Sequence, residues 1–388
     1  MTHPIWIVLR KEVIDGFRDR RALMSAMLFP VLGPVLVYVM MSAVVNLRTE
    51  SEDTTIRVAG ADNAPHLMQW LEERGVAFQP FTGDPQAAVQ QKKVELVLVI
   101  PPGFGASYAS ARPARVEIVQ DGSRTDTQAL VGRLRNLLRA YNSEIAGLRL
   151  IARGVAPNLM QVVSIQDIDV ASKRERSAAA LNMIPMYIIL AAFVAGMGIA
   201  IDSTAGERER KSLEALLINP VERLHLVLGK WLAASAFAGV GVTLTAILCT
   251  AAMAQVPLAE IGLRFEGSTS LVLLMIIATL PVALFATALQ LALAMFARSF
   301  KDAQSYMGLL VMLPLIPSLF LMFNPVATKD WMFVIPVVGQ QLLIVDLIGG
   351  KVVPPLAYGL SILANLVLGI ALATLTARLL QRESIIRG

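Results

Sequence analysis

The stretch AAALNMIPMYIILAAFVAGMGIAI, Ala178 to Ile201, carries no Asp, Glu, Lys, Arg or His, and the charge-dense DSTAGERERKSLEALLINPVERLHLVLGK, Asp202 to Lys230, follows it directly. A hydrocarbon core about 30 Å thick is crossed by about 20 apolar residues in helical form, because only a helix pairs its own backbone groups in lipid. The first stretch meets that requirement, and the charges after Ile201 mark where the chain leaves the lipid. Working outward, the same requirement finds five more spans: Ala22 to Val45, Trp231 to Met253, Leu271 to Phe296, Gln304 to Phe323 and Ala357 to Leu379. The first is longer than the apolar core of a signal peptide and follows a charged segment, so it reads as a retained anchor. With 55% hydrophobic and only 16% charged residues and a mean hydropathy of +0.62, the chain needs a bilayer as solvent. The fold class is a mainly α-helical polytopic membrane protein with six transmembrane helices.

Orientation follows from Lys and Arg in the short flanks, which concentrate on the cytoplasmic side. One set comprises Arg10, Lys11, Arg18, Arg20 and Arg21, then Arg208, Arg210, Lys211, Arg223 and Lys230, then Arg298, Lys301, Arg378, Arg382 and Arg387. The opposite short loops hold only Arg264, Lys329 and Lys351. Both termini are therefore expected in the cytoplasm, in a cell or inner membrane.

Residues 46–177, between the first two spans, are polar and long enough to form a domain of their own, expected outside the cytoplasm. Strand patterns at Thr55 to Gly60, Val76 to Phe81, Val94 to Ile100 and Ala114 to Val119 alternate with helical patterns at Pro65 to Arg74 and Pro85 to Lys93, which predicts an α/β layer. A long helix is predicted from Thr125 to Arg153, with Leu130, Leu134, Leu137, Leu138, Tyr141, Ile145 and Leu148 on one face and Asp126 as a cap. Gln161 to Val170 reads as a last strand. The remaining residues, 178–388, form the membrane domain with five spans. Residues 1–21 place Ile5, Trp6, Leu9, Val13 and Phe17 on one helical face with Arg10, Lys11, Arg18 and Arg20 adding charge, which predicts an interfacial helix.

Several functions are excluded. The net charge of +5 comes from dispersed basic residues, many beside apolar runs, so no nucleic-acid surface is expected. The single cysteine, Cys249, lies in an apolar run, and His3, His66 and His225 are scattered, which leaves no disulfide and no metal motif. There is no G-x-x-x-x-G-K-[ST] loop, since Gly229-Lys230 and Gly350-Lys351 lack its spacing and hydroxyl, and no H-E-x-x-H or G-x-S-x-G element. The nearest lookalike, GFGAS at Gly103 to Ser107, reads as a turn. The chain is not expected to be an enzyme by itself or to bind a cofactor.

In the 202–230 loop, alternating Glu and Arg precede a short amphipathic helix containing Leu213, Leu216 and Leu217, stopped at Asn219-Pro220. Charged ends around a compact apolar face suit docking into a cleft of a soluble partner. A solvated inner loop obeying the positive-inside rule is the plainer reading of the same pattern. The stretch resembles the cytoplasmic loop of type-2 ABC exporter permeases, E-R-E-[RK]-x-[ST]-L-E-x-L-L-x-x-P, through Glu207, Arg208, Glu209, Arg210, Ser212, Leu213, Glu214, Leu216, Leu217 and Pro220. The order of interfacial segment, one span, large external domain and five spans extends the resemblance over nearly the whole chain. IPVVGQ, Ile335 to Gln340, and the sequence between the first two spans look most like sodium-export permeases of the Nat type. The resemblance implies a dimer of permeases, homo- or heterodimeric, paired with cytoplasmic ATPase subunits that bind ATP and Mg, with this loop as the coupling element. Related permeases serve antibiotics, peptides, lipids or ions, so exporters of amphipathic cargo remain an alternative, and a membrane-anchored receptor or assembly protein is an alternative of another class.

Polar residues inside spans are costly and face cavities or other helices. The cargo-path candidates are Asn182, Gln290 and Asn365 in spans, with Pro336, Gly339 and Gln340 in residues 324–355. That segment is apolar yet broken by Pro325, Pro336, Gly339, Gly349, Gly350, Pro354 and Pro355, and reads as broken re-entrant helices rather than a span.

The charge bias makes the topology testable. A cysteine placed at Asp84 in a Cys249→Ala background is expected to react with an impermeant thiol reagent in intact cells whose outer envelope admits it. Reaction only after lysis would contradict the assigned orientation.

Overall fold

The computed structural model describes residues 3–53, 55–122, 127–157, 180–212, 218, 220–324, 326 and 328–381. The chain divides into two compact units, Met1–Ser42 with Ala171–Gly388, and Ala43–Val170.

In the first unit, helix α1 (Pro4–Arg18) is followed by α2 (Arg20–Asp53). After the α/β unit come α7 (Met183–Val194), α8 (Met197–Ile201), a π-helical turn Asp202–Gly206 and a helical turn Glu207–Glu209. Then follow α9 (Arg223–Gln255), α10 (Thr269–Ala294), α11 (Phe300–Leu310), α12 (Met312–Phe323), α13 (Val338–Ile348) and α14 (Pro355–Leu379). Among the described residues six helical stretches are long and apolar enough to cross a membrane: Ala26–Asn46, Met183–Glu209, Arg223–Gln255, Thr269–Ala294, Phe300–Phe323 and Pro355–Leu379.

Lipid offers no hydrophobic drive between helices, so close packing and hydrogen bonds must hold them. Helix α9 presents Ala233, Ala234, Ala238, Val242 and Ala246, all buried, at the centre of the unit. Trp231 Nε1 donates to the Leu284 carbonyl of α10 at 2.8 Å, and Ser235 and Thr287 share a hydroxyl bond of 2.7 Å. Inside α2, Pro34 lacks the N–H that would pair with the Pro30 carbonyl, and the Thr245 hydroxyl of α9 lies 3.4 Å from that oxygen. Helix α1 packs along α9. Leu9 and Val13 lie against the core, while Trp6 and Phe17, assigned to the same face from sequence, are 61% and 59% exposed.

The α/β unit carries a four-stranded sheet of order β2-β1-β3-β4, formed by β1 (Ile56–Ala59), β2 (Phe78–Pro80), β3 (Leu96–Val99) and β4 (Glu117–Gln120). Both pairings of β1 are parallel, with Arg57 opposite both Gln79 and Val97, and β4 runs antiparallel to β3, with Val97 opposite Val119. The helices are α3 (Pro65–Glu72), α4 (Pro85–Gln90), α5 (Phe104–Ala109) and α6 (Gln128–Ile151). Strand β3 is buried on both faces, as parallel central strands are. Leu96 and Leu98 join Trp70, Leu134 and Tyr141 on one side, and Val97 joins Val89 and Val94 on the other. The Asp84 carboxylate caps α4 by accepting from Gln86 N at 2.9 Å.

Two sequence expectations are corrected. GFGAS is no turn, since Phe104 to Ser107 lie in α5, where the buried Phe104 anchors one helical turn to the core. Leu148 does not share the buried face of α6 but is 57% exposed, because it lies one turn beyond the last packed residue, Ile145. The proposed cap Asp126 and the strand at Gln161 to Val170 lie outside the described residues.

Close approach of α1 to α9 depends on Gly229, where an added Cβ would sit 2.6 Å from Val8 Cβ and 3.1 Å from the Ile5 carbonyl. Gly229→Ala is expected to lower stability by about 1–3 kcal/mol, the usual cost of overpacking. Gly308→Ala, whose Cβ would meet nothing within 4 Å, is expected to leave it unchanged or raise it. Thermal unfolding of the solubilised protein compares them, and equal behaviour of the two variants would contradict the tight crossing.

Candidate functional site

The four side chains of Glu207-Arg208-Glu209-Arg210 each reach a different part of the helical unit. Glu207, 4% exposed, accepts from Lys230 Nζ at 2.6 Å and from Lys11 Nζ at 2.5 Å. Lys230, 1% exposed, also donates to Glu12 Oε1 at 2.9 Å, and Lys11 donates to the same oxygen at 3.0 Å. Two ammonium groups thus neutralise two carboxylates, and the four come from α1, α9 and the helical turn after α8. Burial alone would draw the Lys11 ammonium down, but its hydrogen bond to Glu207 and the charges of Glu12 and Glu207 outweigh it and hold Lys11 above its ordinary value of 10.5. For a base shifted upward, the stabilisation is fully present below that ordinary value and is lost only in strongly alkaline solution.

Arg208 donates to the carbonyls of Met295 at 2.7 Å and Ala297 at 2.9 Å. These follow the last turn of α10, where carbonyls lack helical partners and a cation is favoured. Glu209 does the converse at the start of α11, accepting from Phe300 N at 2.7 Å. Arg210 reaches back to Asp202 Oδ1 at 2.8 Å across the π-helical turn. Inserted π turns are frequent where a helix must be re-aimed at a functional site. Ser212 Oγ donates to the Glu207 carbonyl at 3.2 Å. Leu213, Glu214, Leu216 and Leu217 lie outside the described residues, and Pro220 is exposed. Pro220 lines a cleft of about 670 Å³ with Glu222, Arg223, Thr374, Arg378 and Gln381.

The cargo-path candidates fall into separate groups. Asn182 Oδ1 accepts from Gln341 Nε2 at 2.9 Å, and Gln341 Oε1 accepts from Ser318 at 3.3 Å. Gln340 donates to Ser361 Oγ at 2.5 Å and accepts from Val337 N at 2.8 Å, while Asn365 donates to the Ser361 carbonyl at 2.8 Å. Gln290 is elsewhere, donating to the Phe193 carbonyl. The amide oxygens of Gln290 and Asn365 are buried without hydrogen-bond partners. Gly339 admits the chain against Phe333, whose carbonyl would lie 2.6 Å from an added Cβ. Pro336, half-buried, precedes Val337, which takes φ +72°. That left-handed backbone is strained for a β-branched residue. Residues 330–348 form a 3-10 turn, Asp330–Val334, and the short α13.

Residues 6–376 match the model of the ABC-2 family transporter proteins. The chain belongs to the ABC-2 transporter family. It is 30% identical over 360 residues, 89% of this chain and 90% of the relative, to the ABC transporter permease protein NatB of Bacillus subtilis. It is 23% identical over 243 residues, 59% of this chain and 60% of the relative, to the probable multidrug ABC transporter permease YbhR of Escherichia coli K12. This ABC-2 protein is therefore a permease subunit of an ABC transporter, a multi-pass membrane protein that works with an ATPase carried on a separate polypeptide.

Sequence reading singled out the Glu-Arg-Glu-Arg run of this ABC-2 chain but missed Glu12 and the burial of Lys230. Glu12 was legible in part, since it lies between Leu9 and Val13 on the packed side of α1. Lys230 reads from sequence as one more flanking positive charge, and nothing local shows that its partners are 218 and 23 residues away. Removing one member of a buried ion pair leaves an uncompensated charge and costs about 3–5 kcal/mol. Lys230→Met is expected to lose that much, and the triple variant Lys230→Met, Glu12→Gln, Glu207→Gln to recover most of it in thermal unfolding. A triple variant no more stable than the single one would contradict charge balance as the reason for the cluster.

Proposed function

We propose that the chain is the permease of an exporter that moves sodium out of the cytoplasm, with both termini inside, the α/β domain outside and a second permease completing the translocation unit. In this reading Ser212 to Pro220 dock on the ATPase, which binds ATP and Mg, and Glu207 to Arg210 pass its movement to the spans. The observation that carries the reading is the clamp itself. One short run is bonded to α9 and α1, to the end of α10, to the start of α11 and to its own preceding turn. A push on a loop so fastened displaces several helices together, because packed helices shift as discrete bodies.

The sodium reading is supported by likeness to NatB and by neutral oxygens at two of the proposed cargo-path residues. Hard cations take oxygen ligands, and the amide oxygens of Asn365 and Gln290 are buried with no other partner. The likeness to YbhR, named as a multidrug permease, favours amphipathic cargo as the second reading. Vesicles holding purified permease and ATPase separate the two. ATP-dependent sodium movement that falls at least tenfold in Asn365→Leu supports the first, whereas ATP-dependent movement of amphipathic compounds without sodium supports the second.

Docking has its own test. Leu213→Ala combined with Leu216→Ala is expected to lose ATPase co-purification, since buried apolar anchors carry about 1 kcal/mol or more each. Arg208→Met is expected to keep the ATPase bound but lose its stimulation. Unchanged binding and stimulation in the double variant would return the loop to a solvated connector.

A further inference from the structure

In the α/β unit, a cavity of about 240 Å³ opens between α5 and α6. Phe104, Leu138 and Ile145 give it apolar walls. Among the described residues its charged lining is Arg112 and Arg149, with no carboxylate. Arg149 is held in place, its guanidinium 4.9 Å over the Tyr108 ring and one Nη2 bond of 2.8 Å made to the Tyr108 carbonyl. A guanidinium has five N–H donors in a planar fork, so one such bond leaves most of its donors for a ligand. Tyr141 also lines the cavity, and its buried hydroxyl makes no hydrogen bond of full geometry among the described residues, although the Tyr108 hydroxyl is close enough to interact with it. The neighbouring Trp70, by contrast, gives its Nε1 proton to Glu144 at 2.9 Å. Burial pushes the Tyr141 phenol above its ordinary 10, and its interaction with the Tyr108 hydroxyl adds to the shift. A buried donor left unmade is costly, and a ligand acceptor would satisfy it.

Size narrows the ligand. An apolar cavity of roughly 150 Å³ holds benzene, so this one accepts an aromatic ring or short chain together with a polar head. Two arginines, with no carboxylate among the described lining residues and with Glu144 already engaged by Trp70 and Arg74, select an anion, and the fork geometry matches a carboxylate. We propose that this cavity binds a small amphipathic carboxylate of arylalkanoate size, its head on Arg149 and Arg112 and its body against Phe104, Leu138 and Ile145. The site is independent of the cargo assignment, because none of its residues lies in a membrane span.

Calorimetry on the full chain in lipid nanodiscs tests this, with 4-phenylbutyrate as the probe, its neutral amide as the comparison and empty nanodiscs as the blank. Saturable binding of the carboxylate is expected, at least tenfold tighter than the amide. Arg149→Met is expected to weaken it about tenfold, in keeping with a charge-assisted bond. Arg112→Gln, at an exposed position, is expected to weaken it without touching the fold. Tyr141→Phe is expected to weaken it severalfold while leaving the thermal transition unchanged or raised, and Ala114→Trp to fill the cavity and abolish binding. Absence of saturable 4-phenylbutyrate binding, equal affinity for the amide, or wild-type affinity in both arginine variants would overturn the proposal.

Discussion

Lys230 can be buried only because Glu12 and Glu207 meet it, at 2.9 and 2.6 Å. An ammonium group taken out of water without such partners would shed its proton or unfold its surroundings. That requirement fixes α1 against α9, since Glu12 must arrive, and fixes the start of the Glu207–Arg210 run, since Glu207 must arrive too. Lys11, which also lies 3.8 Å from the exposed Asp15, completes the balance from the half-exposed side, so Lys11, Lys230, Glu12 and Glu207 together carry no net charge. Everything the loop does next follows from where Glu207 is pinned. Arg208 then points at the end of α10, Glu209 at the start of α11, and Arg210 at Asp202.

The rest of the helical unit follows a different logic. Around α9 the contacts are alanines, small hydroxyls and a glycine crossing, which allow backbones to approach where lipid supplies no hydrophobic drive. The amide groups beyond them pair with one another and with hydroxyls, as Asn182 does with Gln341 and Gln340 with Ser361. Among the described residues the buried amide oxygens of Gln290 and Asn365 stay unpaired, and the backbone of Val337 is strained beside Gln340. Strain and unsatisfied groups cluster where a structure serves something other than its own stability.

The spans and the α/β insertion were legible because their signals are local, a run of apolar residues or an alternation of period two. The first three strands appear where the alternation placed them, shortened at both ends, as Val94 to Ile100 became Leu96–Val99, while the fourth, expected at Ala114 to Val119, begins at Glu117 and runs on to Gln120. The Glu-Arg-Glu-Arg run was legible as a pattern but not as a geometry, because each side chain's partner lies on another element. Met295 and Ala297 offer only backbone carbonyls, which no sequence reading distinguishes from any others. Glu12 hid among charges that the interfacial helix was expected to show to solvent, and GFGAS looked like a turn because its two glycines outweighed the buried Phe104.

The central claim is that the loop and the ends of α9, α10 and α11 move as one body. Spin labels at Ile218 and Phe296, 85% and 57% exposed, report the loop-to-α10 distance by pulsed electron resonance in the nucleotide-free and ATP-trapped complexes. The clamp predicts one narrow distance distribution common to both states, which broadens in Arg208→Met. A wild-type distance that shifts between the two states would show the loop moving independently of α10 and would contradict the account.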